Sequence, residues 1–348
     1  MFCGGKPEHE FTGCFMSVST LAIYPWQYPV WRQLLEYVAL QRVPQALLIS
    51  GSVGVGKRHL AEVYARSLLC HSPLADHSAC GACQGCKLWA AQTHPDYILI
   101  EPEEPGKGIG IDKIRQLIVK LALKPQFAAY RVVIIEPADL MNTAAANAFL
   151  KSLEEPTERT CLLLLTDKPA RLPATIRSRC QSLHCRTPDK AIAIQWLQQQ
   201  AIHQNPDLLL SLAQGAPLLA RQYAEQNLPS IREELFQNWL QVAEGKANLI
   251  ALAEQWQKQD KLELSVLLKW MISWIADVTK TAYQADLHTL QNPDLKKSLQ
   301  ALAGRLELKQ VYGFYDALLE AHSQLSSQIN KQLMLEQLLI RWSQLTTG

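Results

Sequence analysis

The sequence carries little net charge, because 34 lysines and arginines nearly balance 32 aspartates and glutamates and leave a formal charge of +2. Without an excess of basic residues, any contact with DNA would have to be local.

A membrane-spanning run is also missing. The longest strongly apolar helical segment, Leu262–Ala276, is interrupted by Lys269 and is shorter than the ~20 residues that a span needs. We therefore expect no membrane partner.

The amino-terminal region lacks the apolar core of a secretory signal. We expect a cytoplasmic protein whose nine cysteines are free thiols or metal ligands rather than disulfides. Residues 1–20 also lack helical or strand periodicity, so we expect a disordered extension. Two interpretations are open: translation begins at Met16, or this segment is a mobile tail. Neither gives Cys3 or Cys14 a role.

What the sequence does contain begins with a glycine-rich turn between an apolar run and a helix. The run Ala46–Ile49 leads into Gly51, Gly54, Gly56 and Lys57, and a helical apolar pattern follows at once. Glycines let backbone N–H groups surround phosphate oxygens, and the helix N-terminus and Lys57 add positive charge. A structural glycine turn is the alternative, but the placement of Lys57 favours a phosphate-binding P-loop.

The metal-binding part of this P-loop is altered. Arg58 stands where the motif needs a serine or threonine for Mg²⁺, and a guanidinium has no lone pair for a metal. Further along, the buried run Arg131–Ile135 ends in Glu136 and Pro137. Glu136 could serve as a metal-side carboxylate, but a proline cannot act as a general base. We expect no ATP hydrolysis and leave binding of ATP or ADP open.

Four cysteines follow the P-loop helix, and three of them form two overlapping C-x-x-C pairs. Their thiolates can close a tetrahedral shell around a structural Zn²⁺. A redox site would need an isolated pair, whereas Cys83 belongs to both, and a catalytic zinc would keep one position open. His71 or His77 could replace one thiolate. The predicted ligands, in a module at residues 70–90, are Cys70, Cys80, Cys83 and Cys86.

Around these motifs the pattern alternates between strands and helices. Strand patterns at Tyr97–Ile100, Arg131–Ile135 and Cys161–Leu165 are separated by helical patterns at Ile111–Leu123 and Thr143–Glu155. This order predicts an α/β domain at residues 21–187, with a parallel sheet, flanking helices and the cysteine module inserted. Thr166 directly follows the last of these strands at its carboxyl end, where such sheets place ligand contacts, and it joins the nucleotide-binding candidates.

From Pro188 onward the apolar residues follow helical spacing alone. We expect an all-α lid at residues 188–228, interrupted at Gly215–Pro217, and an all-α domain at residues 229–348. A clear apolar stripe in the second region runs along Leu262–Thr279.

Together these features resemble the bacterial clamp-loader AAA+ family. The resemblance rests on the P-loop, the cysteine module, Asn147–Pro156 and the tripeptide Ser178–Cys180, in that order. Tyr24–Trp26 and Ile329–Leu339 are similar to the delta prime branch of the family. The resemblance implies a C-terminal collar that joins gamma/tau and delta subunits in a hetero-oligomeric ring. It also implies contact with the sliding clamp and primer-template DNA through that complex.

The resemblance further assigns Arg179 as an arginine finger. In this family, the arginine of the Ser-Arg-Cys tripeptide reaches across a subunit boundary to the γ-phosphate of the neighbour's ATP. A planar, permanently cationic group suits the charge that spreads over the γ-oxygens. Without the resemblance, a solvated surface arginine would be the simpler interpretation.

Three positions depart from the motor subunits of the family. Besides Arg58 and Pro137, Leu218 stands where those subunits carry a phosphate-sensing arginine, and Arg221 is out of register to replace it. We therefore interpret the chain as a non-hydrolysing accessory subunit of a DNA-directed DNA polymerase holoenzyme. One alternative is an active motor subunit of the gamma/tau type. The other is a zinc-dependent nucleic-acid module, which the weak net charge disfavours.

Overall fold

The computed structural model describes residues 22–104, 106–127, 130–155, 157–259, 262–283, 290–325 and 330–347. The predicted extension at residues 1–20 lies outside them, as do Pro156 and Ile329. The chain divides into two compact units. The first comprises the chain up to Gly51 together with Gly56–Cys185, and the second comprises Ser52–Val55 and the chain from Arg186 onward.

The first unit is built on a five-stranded sheet in the order β2-β3-β4-β1-β5, and all pairings are parallel. The strands are β1 (Ala46–Ser50), β2 (Tyr97–Ile100), β3 (Arg131–Ile135), β4 (Thr160–Thr166) and β5 (Gln181–His184). The three central strands β1, β3 and β4 are buried along their whole length because helices cover both faces of the sheet. The predicted parallel α/β fold is confirmed.

Helices precede or connect these strands. Their bounds are α1 (Tyr28–Ala39), α2 (Lys57–Leu69), α3 (Gln84–Ala90), α4 (Ile111–Leu121), α5 (Thr143–Glu154) and α6 (Ala174–Arg177). Of these, α2, α4 and α5 bury apolar residues against the sheet or against each other. The start of α5 is fixed as predicted, since the side chain of Asn142 accepts a hydrogen bond from the N–H of Ala145 at 2.8 Å. This helix packs on the sheet through Phe149 and Leu153.

The second unit is helical apart from its loops in the part of the chain that the structure describes. Its helices are α7 (Lys190–Gln199), α8 (Pro206–Leu212), α9 (Pro217–Glu225), α10 (Leu228–Ala243), α11 (Leu249–Gln257), α12 (Leu264–Ala282), α13 (Lys296–Ala303), α14 (Leu308–Gln324) and α15 (Lys331–Thr347). The predicted stripe of α12 is buried around Trp274, and Lys269 is exposed. Trp239 and Trp342 stack at the core with centroids 3.9 Å apart. No helix of the described chain has the length and apolarity to cross a membrane.

Candidate functional site

The predicted nucleotide-binding residues meet at the carboxyl edge of the sheet. Ser50 pairs with Thr166 across β1 and β4, and the N–H of Gly51 donates to the carbonyl of Thr166 at 3.3 Å. Glu136 follows β3, the neighbour of β4, at the same edge. The carboxyl ends of parallel strands lie at the same end of the sheet. Residues that end or directly follow β1, β3 and β4 therefore come together there.

The P-loop bends through two glycines in the left-handed region, Gly54 at φ +79° and Gly56 at φ +86°. The carbonyl of Gly54 accepts a hydrogen bond from the N–H of Leu218 at 3.1 Å. A Cβ atom on Gly54 would lie 2.5 Å from the Cβ of Leu219, which is closer than real Cβ atoms approach. The packing of the loop on α9 therefore requires glycine at position 54, whether or not a phosphate binds.

The two polar side chains predicted to contact nucleotide are engaged inside the protein. The ammonium of Lys57 is buried, donates to the carbonyl of Gly51 at 2.9 Å and pairs with Asp167. The hydroxyl of Thr166 donates to the carboxylate of Asp139 at 2.5 Å. These contacts stabilise the edge of the sheet within the chain itself.

Arg58 sits among three carboxylates. Its Nε atom lies 2.9 Å from Oε1 of Glu62 and its Nη1 atom 3.4 Å from Oε2 of Glu136, and it also pairs with Glu101. Burial alone would lower the pKa of Arg58, but hydrogen bonds to Glu62 and Glu101 raise it above its usual value. Burial raises the pKa of Glu136, and the guanidinium of Arg58 opposes this shift. A fixed cation therefore occupies the carboxylate cluster where a working P-loop would hold Mg²⁺.

The four predicted metal-binding cysteines come together. All their sulfur atoms lie within 4.8 Å of one another, with Cys70 Sγ 3.5 Å from Cys80 Sγ and 3.8 Å from Cys83 Sγ. Backbone N–H groups point at these sulfurs: the N–H of Cys83 donates to Cys80 Sγ at 3.3 Å, and that of Cys86 donates to Cys83 Sγ at 3.5 Å. The group can hold a metal ion.

The backbone also favours the thiolate at two of these positions. Burial opposes ionisation of Cys83, but N–H groups of Cys86 and His71 lower its pKa to about 6. N–H groups of Ala82 and Cys83 lower the pKa of Cys80. Burial raises the pKa of Cys86 to about 12, so this thiol needs a cation before it ionises. Neither His71 nor His77 belongs to the described cluster, and the ring of His71 packs against Phe127.

Arg179 lies at the amino-terminal ends of the strands, opposite the carboxyl ends where the P-loop lies. It precedes β5, and β5 runs parallel to β1 with His184 opposite Ser50, so the P-loop and Arg179 are at opposite ends of this strand pair. Its Nη2 atom lies 2.6 Å from Oε1 of Glu154, and its side chain is 36% exposed. Arg179 therefore cannot contact a nucleotide in the P-loop of its own chain.

Comparison with known proteins decides the family. A family model described as DNA polymerase III, delta subunit, matches residues 26–189, and one described as DNA polymerase III, delta subunit, C terminal, matches residues 226–344. DNA polymerase III subunit delta' of Pseudomonas aeruginosa is 36% identical over 329 residues, which cover 93% of this chain and 98% of the relative. The chain belongs to the DNA polymerase III delta prime family.

Two further relatives place the chain within this group. DNA polymerase III subunit delta' of Escherichia coli is 32% identical, with 91% of this chain and 94% of the relative covered. DNA polymerase III subunit tau/gamma of Haemophilus influenzae is 26% identical, with 86% of this chain but only 46% of the relative covered. The delta prime relatives thus match more completely than this tau/gamma subunit does.

In this delta prime family member, the sequence patterns did not predict the partners of the P-loop cations Lys57 and Arg58. Asp167 directly follows Thr166, so its position at the carboxyl edge of β4 was a usable signal for a contact with Lys57. Glu62 is four residues after Arg58 in α2, which is the spacing of helical ion pairs. Arg221, considered as a substitute sensor, pairs with Glu225 at 2.7 Å.

Proposed function

We propose that this chain is a clamp-loader subunit that does not hydrolyse ATP and that supplies Arg179 to the ATP site of a neighbouring subunit. The observation that carries the proposal is the location of Arg179 at the sheet edge opposite the P-loop. An arginine at that edge can serve only a nucleotide held by another chain. The guanidinium would stabilise the charge on the transferred γ-phosphoryl group, an effect of roughly 10³–10⁵ in rate for such arginines.

The absence of hydrolysis is supported by the side chains around the P-loop. Arg58 already neutralises Glu136 and offers no oxygen for Mg²⁺, and Pro137 has no group to activate water. Lys57 and Thr166 make internal contacts through the groups that would otherwise face phosphate. We propose that Gly51, Gly54, Gly56, Lys57 and Thr166 are a vestigial nucleotide site whose present role is structural.

The proposed partners are gamma/tau and delta subunits in a hetero-oligomeric ring, and the sliding clamp and primer-template DNA through that ring. Membership of the delta prime family supports this assignment. The second unit also carries apolar residues beyond its core. Tyr312 and Leu319 on α14 and Leu333 and Ile340 on α15 are between 43% and 52% exposed. Such surface favours packing against other helical subunits in the cytoplasm.

We further propose that the cysteine cluster holds one structural Zn²⁺. Zinc–sulfur bonds of ~2.3 Å in a tetrahedron place sulfurs about 3.8 Å apart. The Cys70 sulfur lies 3.5 Å from that of Cys80 and 3.8 Å from that of Cys83, so the thiols fit this ion. Cys70, Cys80, Cys83 and Cys86 would fill all four positions and leave none for a reacting water, so the metal would stabilise the segment between α2 and α3.

Assembly and turnover test the proposal together. The purified chain should bind motor and delta subunits of the same organism in one defined hetero-oligomer, and by itself it should turn over no ATP. Turnover by the isolated chain at a rate similar to that of the motor subunit would contradict the proposal. So would failure to enter the complex under conditions where motor and delta subunits associate.

A further inference from the structure

The guanidinium of Arg179 is held at two points by its own chain. Besides the 2.6 Å contact between Nη2 and Oε1 of Glu154, its Nη1 atom donates to the carbonyl of Thr175 at 2.9 Å. Glu154 is the last residue of α5, and Thr175 lies in α6. These two helices pack against each other, so both anchors belong to the same packed part of the first unit.

We propose that Glu154 is a positioning residue that orients Arg179 toward the nucleotide of the neighbouring subunit. This inference rests on the proposed role of Arg179. A long arginine side chain has many rotamers, and the entropy lost on fixing it opposes every contact that it makes. The carboxylate of Glu154, on a helix anchored in the core, restricts the rotamers of Arg179 before the neighbouring subunit binds. Less side-chain entropy is then lost when Arg179 contacts phosphate. Glu154 thereby acts through Arg179 and does not touch phosphate itself.

The geometry leaves the guanidinium able to bind phosphate while it is held. A guanidinium has five N–H donors, and the contacts to Glu154 and Thr175 use two of them, so three have no partner among the residues that the structure describes. The pair is also accessible, with side chains 36% exposed for Arg179 and 48% exposed for Glu154. A partner can therefore reach the free donors without opening the fold.

The strength of the ion pair between Arg179 and Glu154 decides whether Glu154 orients the guanidinium or keeps it from phosphate. An ion pair this exposed shifts an equilibrium by about two- to fivefold at most. That is enough to favour one arginine rotamer over others. It is too little to withhold the arginine from a multiply charged phosphate, whose charge-assisted hydrogen bonds are stronger. The carboxylate of Glu154 should therefore assist the finger rather than compete with it.

The chain offers a matched control one residue away. Glu155 is exposed, and in the described part of the chain its side chain makes no hydrogen bond or ion pair. Glu154→Gln and Glu155→Gln remove the same charge from the same surface. Only the first should alter Arg179.

The test uses the full-length chain assembled with motor and delta subunits, and measures kcat and KM for ATP with clamp and primed DNA present. Glu154→Gln should lower the Arg179-dependent part of kcat about two- to fivefold with KM unchanged. Glu154→Asp should recover part of the loss, and Glu155→Gln should match the unmodified chain. In an Arg179→Ala background, Glu154→Gln should cause no further loss, because the positioned group is gone.

The outcomes separate this inference from the proposed function. If Arg179→Ala lowers kcat and Glu154→Gln does not, Glu154 has no positioning role but the finger stands. If Glu154→Gln raises kcat, the carboxylate competes with phosphate and the inference is wrong. Three other results would also overturn the inference. They are an equal loss of kcat from Glu154→Gln in the Arg179→Ala background, an equal loss of kcat from Glu155→Gln, and a change in KM alone. If Arg179→Ala itself changes nothing, the proposed function fails.

Discussion

The Nη1 atom of Arg58 lies 3.4 Å from the carboxylate of Glu136, the residue that follows the central strand β3. Arg58 occupies the position of the metal-binding hydroxyl in a P-loop, and Glu136 is the carboxylate expected to face the metal. The guanidinium of Arg58 therefore places a positive charge beside Glu136 without a metal ion. The same contact predicts what happens when the hydroxyl is restored.

Arg58→Thr should destabilise the chain without creating an ATPase. Glu62, Glu101 and Glu136 would lose their shared cation, at a cost of about 1 kcal/mol for side chains this exposed. Hydrolysis should stay absent because Pro137 cannot orient water. Urea unfolding at neutral pH and an ATPase assay of the purified variant measure the two effects.

Arg32→Thr is the control for this experiment. Arg32 is exposed on α1 and makes no ion pair among the described residues. Its replacement should leave the free energy of unfolding nearly unchanged. Equal stability losses for Arg32→Thr and Arg58→Thr, or Mg²⁺-dependent hydrolysis by the latter, would contradict the account of the altered P-loop.

Gly54→Ala should lower the free energy of unfolding by about 1–3 kcal/mol, because φ is +79° and the new Cβ would meet Leu219. Gly313→Ala is the control, and its expected effect on the free energy of unfolding has the opposite sign. Gly313 lies within α14 with open space around it, so alanine should raise stability by about 0.5–1 kcal/mol. Normal stability of the Gly54→Ala chain would mean that its contact with α9 is not required.

Zinc analysis should find one metal ion per chain after purification under reducing conditions. Cys83→Ser should weaken zinc binding more than about tenfold, since even loss of an outer hydrogen-bonding partner costs 10–100-fold. Cys180→Ser should retain the metal because Cys180 lies outside the cluster. His71→Gln should retain it too. Loss of zinc from the His71 variant would place an imidazole among the ligands.

His94 should make stability depend on pH. Burial lowers its pKa, and its Nδ1 atom accepts the N–H of Asp96 at 3.2 Å, so a proton there would face another donor. The unfolded chain binds this proton more readily. The free energy of unfolding should therefore fall as pH falls below about 6.5, with a slope from His94 of at most ~1.4 kcal/mol per pH unit.

Urea unfolding between pH 7.5 and 5.5 measures this slope, and His94→Gln should reduce it. The exposed His203 provides the control variant His203→Gln, which should keep the full slope. Both variants retain the cysteine cluster, so loss of metal at low pH affects them equally. The same slope in both would assign the pH dependence to other groups.

Sequence patterns predicted the buried elements of the fold closely. The predicted strand Arg131–Ile135 is observed with those bounds, because central parallel strands are continuous apolar runs. The edge strand Gln181–His184 was missed because it is mostly polar and exposed. The pattern also gave no sign of the short helix Gln84–Ala90, which lies within the predicted cysteine module at residues 70–90.

The candidate sites were predictable where they are local in sequence. The cysteines are close along the chain, so their spacing alone predicts the cluster. The partners of Arg58 are not local: Glu101 and Glu136 are 43 and 78 residues away, and only the strand order brings them to it. The buried pair of Arg131 and Asp96 likewise depends on β2 and β3 lying side by side.

The most direct test of the central claim is ATP hydrolysis by the reconstituted complex that carries Arg179→Ala in this chain. We predict normal folding and assembly and a partial loss of clamp- and DNA-stimulated hydrolysis, since the altered residue serves one neighbouring site. Arg179→Lys should rescue poorly because an ammonium lacks the planar fork. Arg177→Ala, a change of an exposed arginine two residues earlier, should have little effect. Unchanged hydrolysis and unchanged clamp loading with Arg179→Ala would contradict the account.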